Sequence, residues 1–314
     1  MLSRDIAPLV EEAAGRIYRL ARETPVAPLP GSGAGALVKL EQLQVTGAFK
    51  LRGATNKLMS LGAAQAAAGV ITSSTGNHGL GVATAAQALG IDAEVFLCSQ
   101  VGAAKRERIA ALGARIRIVG DDPLAAEVAA RDAARETGRA YVSPYNDPYV
   151  VAGQGTLGVE LLRQVPGLAA VFIATGGGGL ISGIGSYLKQ HAPQVEVVGC
   201  WPRNSAVLYE SLRAGRIVEA PELPTLSEST AGGVEPGSIT FELCREVMHH
   251  GVLVSEPEIL EAMRFGRAHG WVMEGASGVA LAAYRREAAR YAGRPTVVLF
   301  CGGNPSPQVA ALLG

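Results

Sequence analysis

The chain carries no excess charge of either sign, since Lys plus Arg equals Asp plus Glu at 28 each. It therefore has no net field to draw in nucleic acid or an anionic membrane, and neither is an expected partner. No apolar run approaches the roughly 20 residues of a membrane-spanning helix, and Met1-Leu2-Ser3-Arg4-Asp5 lacks the apolar segment of a secretion signal. A cytoplasmic protein is the expectation. Cys98, Cys200, Cys244 and Cys301 are far apart with no CxxC spacing, which argues against a zinc site and a disulfide framework. Two nucleotide signatures are missing as well. The one long glycine run has no acidic residue closing the next strand, which ends in Cys200-Trp201, and no Gly-Lys-Ser/Thr follows it. A dinucleotide-binding oxidoreductase and a P-loop protein are thereby remote.

What is present is an ordinary globular composition, 48% apolar and 18% charged over 314 residues, enough for a sizeable core and two lobes. Short apolar runs alternate with alanine-rich stretches carrying charges at helical spacing, the pattern of parallel strands joined by helices, so the class is α/β. Strands are predicted at Ala36–Leu40, Val70–Ser73, Ala93–Leu97 and Ile116–Val119, with helices at about 50–61, 79–89, 103–112 and 123–137. These four βα units form a compact lobe. After Pro144-Tyr145-Asn146-Asp147-Pro148 the pattern changes: a helix at 155–164, a strand at Ala170–Ala174, a helix through Lys189, and strands at Val195–Gly199 and Thr296–Phe300. The predicted division is a small domain at 45–144, with a larger one at 1–44 and 145–314 that takes in an N-terminal helix at 6–23 and the strand around Leu37. Residues 203–237 are weakly patterned.

Three segments carry chemistry. Lys50, in Thr46-Gly47-Ala48-Phe49-Lys50-Leu51-Arg52-Gly53-Ala54, stands at a helix start, where the positive end of the helix disfavours an ammonium and favours the neutral amine that forms an imine. A lone lysine is more often a solvated surface group; the glycines, the aromatic neighbour and the later motifs outweigh that reading. Ser73-Ser74-Thr75-Gly76-Asn77-His78-Gly79 offers hydroxyls, an amide and free N–H groups at one helix N-terminus, which suits a carboxylate as well as it suits simple capping. Gly176, Gly177, Gly178 and Gly179, between an apolar strand and a helix, let backbone amides approach a phosphate without side-chain obstruction. Cys301, in Cys301-Gly302-Gly303-Asn304, falls at the carboxyl end of a parallel strand, where α/β ligand crevices lie; a buried structural cysteine is the competing reading.

Taken in order, Thr24-Pro25, Lys39-Leu40-Glu41, Phe49 to Ala54, Ser74 to His78, Ala152-Gly153-Gln154-Gly155-Thr156, the glycine run, Glu274-Gly275-Ala276 and Cys301 to Asn304 resemble the fold-type II pyridoxal-phosphate enzymes. Within these the likeness is to the serine/threonine dehydratase and serine racemase group. Gly232-Gly233-Val234-Glu235-Pro236-Gly237 adds a loose similarity to the hydroxyectoine-utilisation dehydratases. The resemblance implies two open parallel-sheet lobes, tryptophan-synthase-beta-like, with pyridoxal 5'-phosphate in the cleft between them. It implies that Lys50 joins the cofactor covalently and later takes the Cα proton. Phe49 would lie near the ring, Asn77 would bond its 3′-hydroxyl, Gly176 to Gly179 would wrap the phosphate, Cys301 would meet the ring nitrogen and Glu274 would line the pocket. Ser74, Thr75, Gly76, Asn77 and His78 would hold the substrate carboxylate.

The implied activity is a lyase that dehydrates and deaminates a β-hydroxy-α-amino acid of the L-threonine or L-serine type, and the implied assembly is a homodimer. Three positions depart from the pattern. Ala48 replaces a serine, and Thr75 stands where racemases carry serine, so Thr75 is a candidate proton-exchanging residue with restricted rotamers. Ala231-Gly232-Gly233 lacks the aspartate of metal-activated members, leaving Glu228 alone, and no divalent metal is expected. A racemase on the same scaffold and a silent pyridoxal-phosphate binder are the rivals. The chain's end at Gly314, without an appended sensing domain, leads to the expectation of a catabolic role.

Overall fold

The computed structural model describes every residue except 33, 34, 75, 100 and 122, and the backbone alone of 104, 105 and 123. Its strands are β1 (Val26–Pro28), β2 (Ala36–Leu40), β3 (Val70–Ser73), β4 (Ala93–Leu97), β5 (Arg115–Ile118), β6 (Ala140–Tyr141), β7 (Ala170–Ala174), β8 (Glu196–Pro202), β9 (His250–Val254) and β10 (Thr296–Phe300). The helices up to the middle of the chain are α1 (Ser3–Arg16), α2 (Lys50–Met59), α3 (Ala63–Ala68), α4 (Asn77–Leu89), α5 (Ala103–Ala110), α6 (Pro123–Thr137) and α7 (Pro148–Gln164). Then come α8 (Gly179–His191), α9 (Val207–Ala214), α10 (Ile239–Val247), α11 (Glu256–Ala268), α12 (Gly275–Glu287) and α13 (Pro307–Ala311). None of the described helices is long and apolar enough to cross a membrane.

The strands form two sheets. The larger runs β1-β2-β10-β7-β8-β9, parallel except for the antiparallel edge pair of β1 with β2, and the smaller runs β5-β4-β3-β6, parallel throughout. The inner strands are apolar on both faces because helices cover both sides: β7 and β10 are buried at every residue. The strand at Ala36–Leu40 pairs with β10 in the larger sheet, and the smaller sheet takes its fourth strand from Ala140–Tyr141.

Some boundaries differ from those read off the chain. The helix expected at 155–164 begins at Pro148, because Asp147 caps it, accepting from the N–H groups of Tyr149 at 2.8 Å and Val150 at 3.0 Å, with the proline at the first helical position. The N-terminal helix stops at Arg16 and is followed by a single 3₁₀ turn, Ile17–Arg19. The strand expected to end at Gly199 continues to Pro202 alongside β9. The weakly patterned stretch contains α9, closed by Gly215 in the left-handed region at φ 69°.

Candidate active site

The carboxyl ends of three inner strands converge. β3 leads into the Ser74–Gly76 turn and α4, β7 leads into the glycine run and α8, and β10 leads into Cys301. Lys50 joins them from the first position of α2. That helix is fixed by close crossings. A Cβ on Gly53 would lie 2.8 Å from the Val150 carbonyl oxygen, one on Gly153 2.7 Å from the Gly53 Cα, and one on Gly155 2.8 Å from the Gly183 carbonyl oxygen. The Ala152 to Thr156 motif thus lets α7 touch α2 on one side and α8 on the other. The register between the lysine and the glycine run is set there.

Two residues beyond Lys50, Arg52 holds α2 in place through a buried ion cluster. Its Nε and Nη2 donate to the two Glu41 oxygens, both at 2.8 Å, and its Nη1 donates to Glu160 Oε1 at 2.6 Å and Thr156 Oγ1 at 3.2 Å. Lys39 completes the cluster with a 2.5 Å contact to Glu160 Oε2. Burial alone would raise the Glu160 carboxyl, but Arg52 and Lys39 outweigh it and hold the group below the usual carboxylate range.

The Lys50 amine has different surroundings. It donates to the Pro144 carbonyl at 2.7 Å and lies 5.2 Å from the centroid of the Phe49 ring, and among the described residues no carboxylate bonds it. Burial lowers it to about 8, opposed by Cys301 and Glu274. Desolvation, more than the helix dipole invoked from sequence, is the cause. The Cys301 thiol is buried and pushed well above the ordinary thiol range, chiefly by burial and then by Glu274, so it is neutral. Its Sγ is 3.9 Å from the Ser277 hydroxyl.

Asn77 and Glu274 meet. Asn77 Nδ2 donates to Glu274 Oε2 at 2.8 Å, the Ser229 hydroxyl donates to Glu274 Oε1 at 2.8 Å, and Asn304 Nδ2 donates to Asn77 Oδ1 at 2.8 Å and to the Thr46 carbonyl at 2.9 Å. Burial raises the Glu274 carboxyl against the pull of Asn77 and Ser229. The Asn77 oxygen keeps a second lone pair for a further donor.

In the substrate loop, Ser74 Oγ accepts from the Gly76 N–H at 3.3 Å, and Gly76 is the N-cap of α4. The His78 ring is buried and turned to the Val142 carbonyl, 3.0 Å from Nε2, with Nδ1 lacking a protein partner. Burial and then Lys50 lower it to about 3, so the ring is neutral. Its place at the helix start brings a backbone amide to the loop while the ring faces inward. Thr75, expected to be a catalytic and substrate-binding residue, lies outside the described residues.

Gly178 opens α8 with φ 86°, and no side chain caps that helix. Among the described residues, the N–H groups of Gly176 to Gly179 meet no acceptor. Around them stand Thr230 and Tyr145: a Cβ on Gly176 would approach the Thr230 Cα to 3.0 Å, and one on Gly177 the Tyr145 Cδ1 to 2.5 Å. Unpaired amides at a helix N-terminus match a phosphate. A partly neutral amine, a neutral thiol and an amide oxygen complete a donor set that fits pyridoxal phosphate.

Several contacts escaped the sequence reading. Tyr145 and the Pro144 carbonyl sit in the segment where the pattern changes, and Ser229 and Ser277 carry no local signature. Asn304 was visible inside its motif, but its link to Asn77 spans 227 positions and needs the fold.

Residues 17–302 match the family described as pyridoxal-phosphate dependent enzyme. An L-threonine ammonia-lyase of Thermotoga maritima is 37% identical over 274 residues, covering 87% of this chain and 68% of that protein. A catabolic L-threonine dehydratase of Staphylococcus aureus is 34% identical over 304 residues, covering 94% of this chain and 88% of its own length. Among solved structures, the processed threonine deaminase isoform 2 of Solanum lycopersicum superposes with a TM-score of 0.93 at 30% identity, over 98% of this chain and 92% of that one. Maize serine racemase gives 0.90 at 28% identity, over 97% and 95%. The two parallel-sheet lobes are those of fold type II. A family match that takes in both sheets and all three convergent strand ends leaves a single conclusion: this chain belongs to the pyridoxal-phosphate dependent enzymes, and pyridoxal 5'-phosphate is its cofactor.

Proposed function

We propose that this protein is a lyase that eliminates water from a β-hydroxy-α-amino acid of the L-threonine or L-serine type and, as water adds back on hydrolysis, releases ammonia and a 2-oxo acid. The observation that carries the reading is the Lys50 amine, lowered to about 8 and held 2.7 Å from the Pro144 carbonyl beside a neutral Cys301 thiol. Relatives named L-threonine ammonia-lyase and L-threonine dehydratase across most of the chain support the choice of reaction.

When bound, the cofactor supplies an electron sink for the bond broken at Cα. In our reading Lys50 would hold it through its amine and, once free, would take the Cα proton of the substrate. An amine near 8 is neutral often enough at physiological pH to do so. The amides of Gly176 to Gly179 would bind the phosphate and Asn77 would accept from the ring hydroxyl, while Asn304 and Glu274 hold the Asn77 amide in orientation. Phe49 would pack beside the ring. The neutral Cys301 thiol would stand toward the ring nitrogen and give it no proton, which suits elimination of the β-hydroxyl. Glu274 closes the wall beyond Gly302. Ser74, Gly76, Asn77 and His78 hold the substrate carboxylate at the start of α4, with Thr75 among them. The unsaturated amine left after loss of water hydrolyses to the 2-oxo acid and ammonia.

The reading extends to a homodimer in the cytoplasm, with 45–144 acting as the small domain that carries the substrate loop. Keto-acid release across L-threonine, L-serine and larger β-hydroxy amino acids, with and without magnesium, tests the activity and its independence of a divalent metal. Release from none of them overturns it. Chiral analysis of the residual serine separates the racemase alternative.

A further inference from the structure

Arg131 on α6 reaches from the small sheet's side of the cleft to Glu235, at 2.5 Å from its Oε2, while also pairing with Glu127 at 2.8 Å. Glu235 follows the stretch that supplies Ser229 and Thr230 to the site, and its backbone N–H donates to the Tyr145 hydroxyl at 3.1 Å. The Tyr145 ring is the wall of the glycine run: a Cβ on Gly179 would come within 3.0 Å of the Tyr145 Cβ, and one on Gly177 within 2.5 Å of its Cδ1. One acidic residue therefore holds the opposite lobe with its carboxylate and the side chain beside the phosphate cradle with its amide.

The cluster is incomplete. Among the described residues, Glu235 Oε1 and the Tyr141 hydroxyl are both buried without a protein partner. Tyr141 ends β6 beneath Arg131, whose guanidinium carbon lies 4.6 Å from the ring centroid. One orphan is an acceptor and the other a donor, they belong to opposite lobes, and both lie beside the same guanidinium. Buried polar groups are seldom left unpaired in a finished arrangement.

We propose that the Tyr141 hydroxyl closes onto Glu235 Oε1 when the lobes draw together on the loaded site, so that Glu235 and Tyr141 are positioning residues that act through Tyr145 on the phosphate cradle. The inference rests on the glycine run being the phosphate site. No bond is made or broken in this step; a hydrogen bond forms across the cleft while Arg131 stays paired with Glu235 Oε2.

The test uses Tyr141→Phe, Glu235→Ala and the double variant in the full chain. Its readouts are the pyridoxal-phosphate dissociation constant of the cofactor-free protein, hydrogen exchange of peptide 231–237 with and without cofactor, and KM against kcat. Tyr141→Phe is expected to weaken cofactor binding and raise KM about three- to tenfold, the factor one net hydrogen bond contributes, with kcat little changed. Cofactor loading should slow exchange of the peptide in the parent and not in the variant, and in the Glu235→Ala background Tyr141→Phe should add nothing. Unchanged constants and exchange in Tyr141→Phe, or effects that multiply independently in the double variant, overturn the latch. Borohydride trapping distinguishes the two levels. If the parent chain is not tagged at Lys50, the underlying site assignment fails; if it is tagged while Tyr141→Phe behaves as the parent, the latch alone fails.

Discussion

Lys39 and Lys50 are both drawn down by burial, yet their partners differ. Lys39 spends its three protons on three oxygens, the Thr24 carbonyl at 2.6 Å, Glu160 at 2.5 Å and Gln164 Oε1 at 2.8 Å. Among the described residues Lys50 has one acceptor, a neutral carbonyl, and an aromatic face. A carboxylate against the amine fixes the charged form and makes a structural lysine. Where the carboxylate is kept out of bonding range, the same desolvation leaves a free amine that can attack an aldehyde. The difference lies in the partners: Lys39 is buried and Lys50 half-buried, and desolvation lowers both.

Removing either lysine should separate the two uses. Lys50→Ala is expected to abolish keto-acid release and the visible absorbance of the attached cofactor, with the thermal midpoint of the cofactor-free protein close to the parent's. Normal turnover in that variant would sink the assignment. Lys39→Ala should do the reverse, costing about 3–5 kcal/mol in urea unfolding because Glu160 loses a buried partner, while the visible band survives. If its stability is unchanged, the ion cluster is not what holds α2.

The contrast sharpens with pH. The ammonium form of Lys50 cannot attack, so borohydride-trapped cofactor on the cofactor-free protein should rise with pH through about 8. Below that point the neutral fraction falls about tenfold per pH unit. A rise that begins only near pH 10 would put the amine in water instead. A smaller effect is expected at the cradle, where Gly177→Ala presses on Tyr145 and should weaken cofactor binding roughly tenfold by equilibrium titration. Smallest of all, Cys301→Ser keeps a small neutral hydroxyl at the same place and should hold kcat within about threefold, whereas a larger loss would show that the thiol itself matters.

Much of this site was legible because each motif has a local cause. A glycine run between an apolar strand and a helix announces an unobstructed N-terminus, and Lys50 is flanked by glycines at a helix start. The short apolar runs gave β2, β3, β4, β7 and β10 at the observed positions. The two-residue β6 is too short to leave a period, and β1 is an antiparallel edge of three residues. The start of α7 was readable in Asp147-Pro148 but lost among the prolines around it. The contacts that orient Asn77 could not be read at all, because Glu274 and Asn304 come to it from 197 and 227 positions away.

The crossings that pin α2 have a mechanical consequence. That helix packs on α4, which belongs with the small sheet, and on α7, which carries the capped segment beside the glycine run. An element packed against both sides would be the pivot if the two lobes were to shift against each other, and a pivot travels least. The Lys50 amine, at the first position of that helix, would then keep its place while a gap beside it widened for solvent and product.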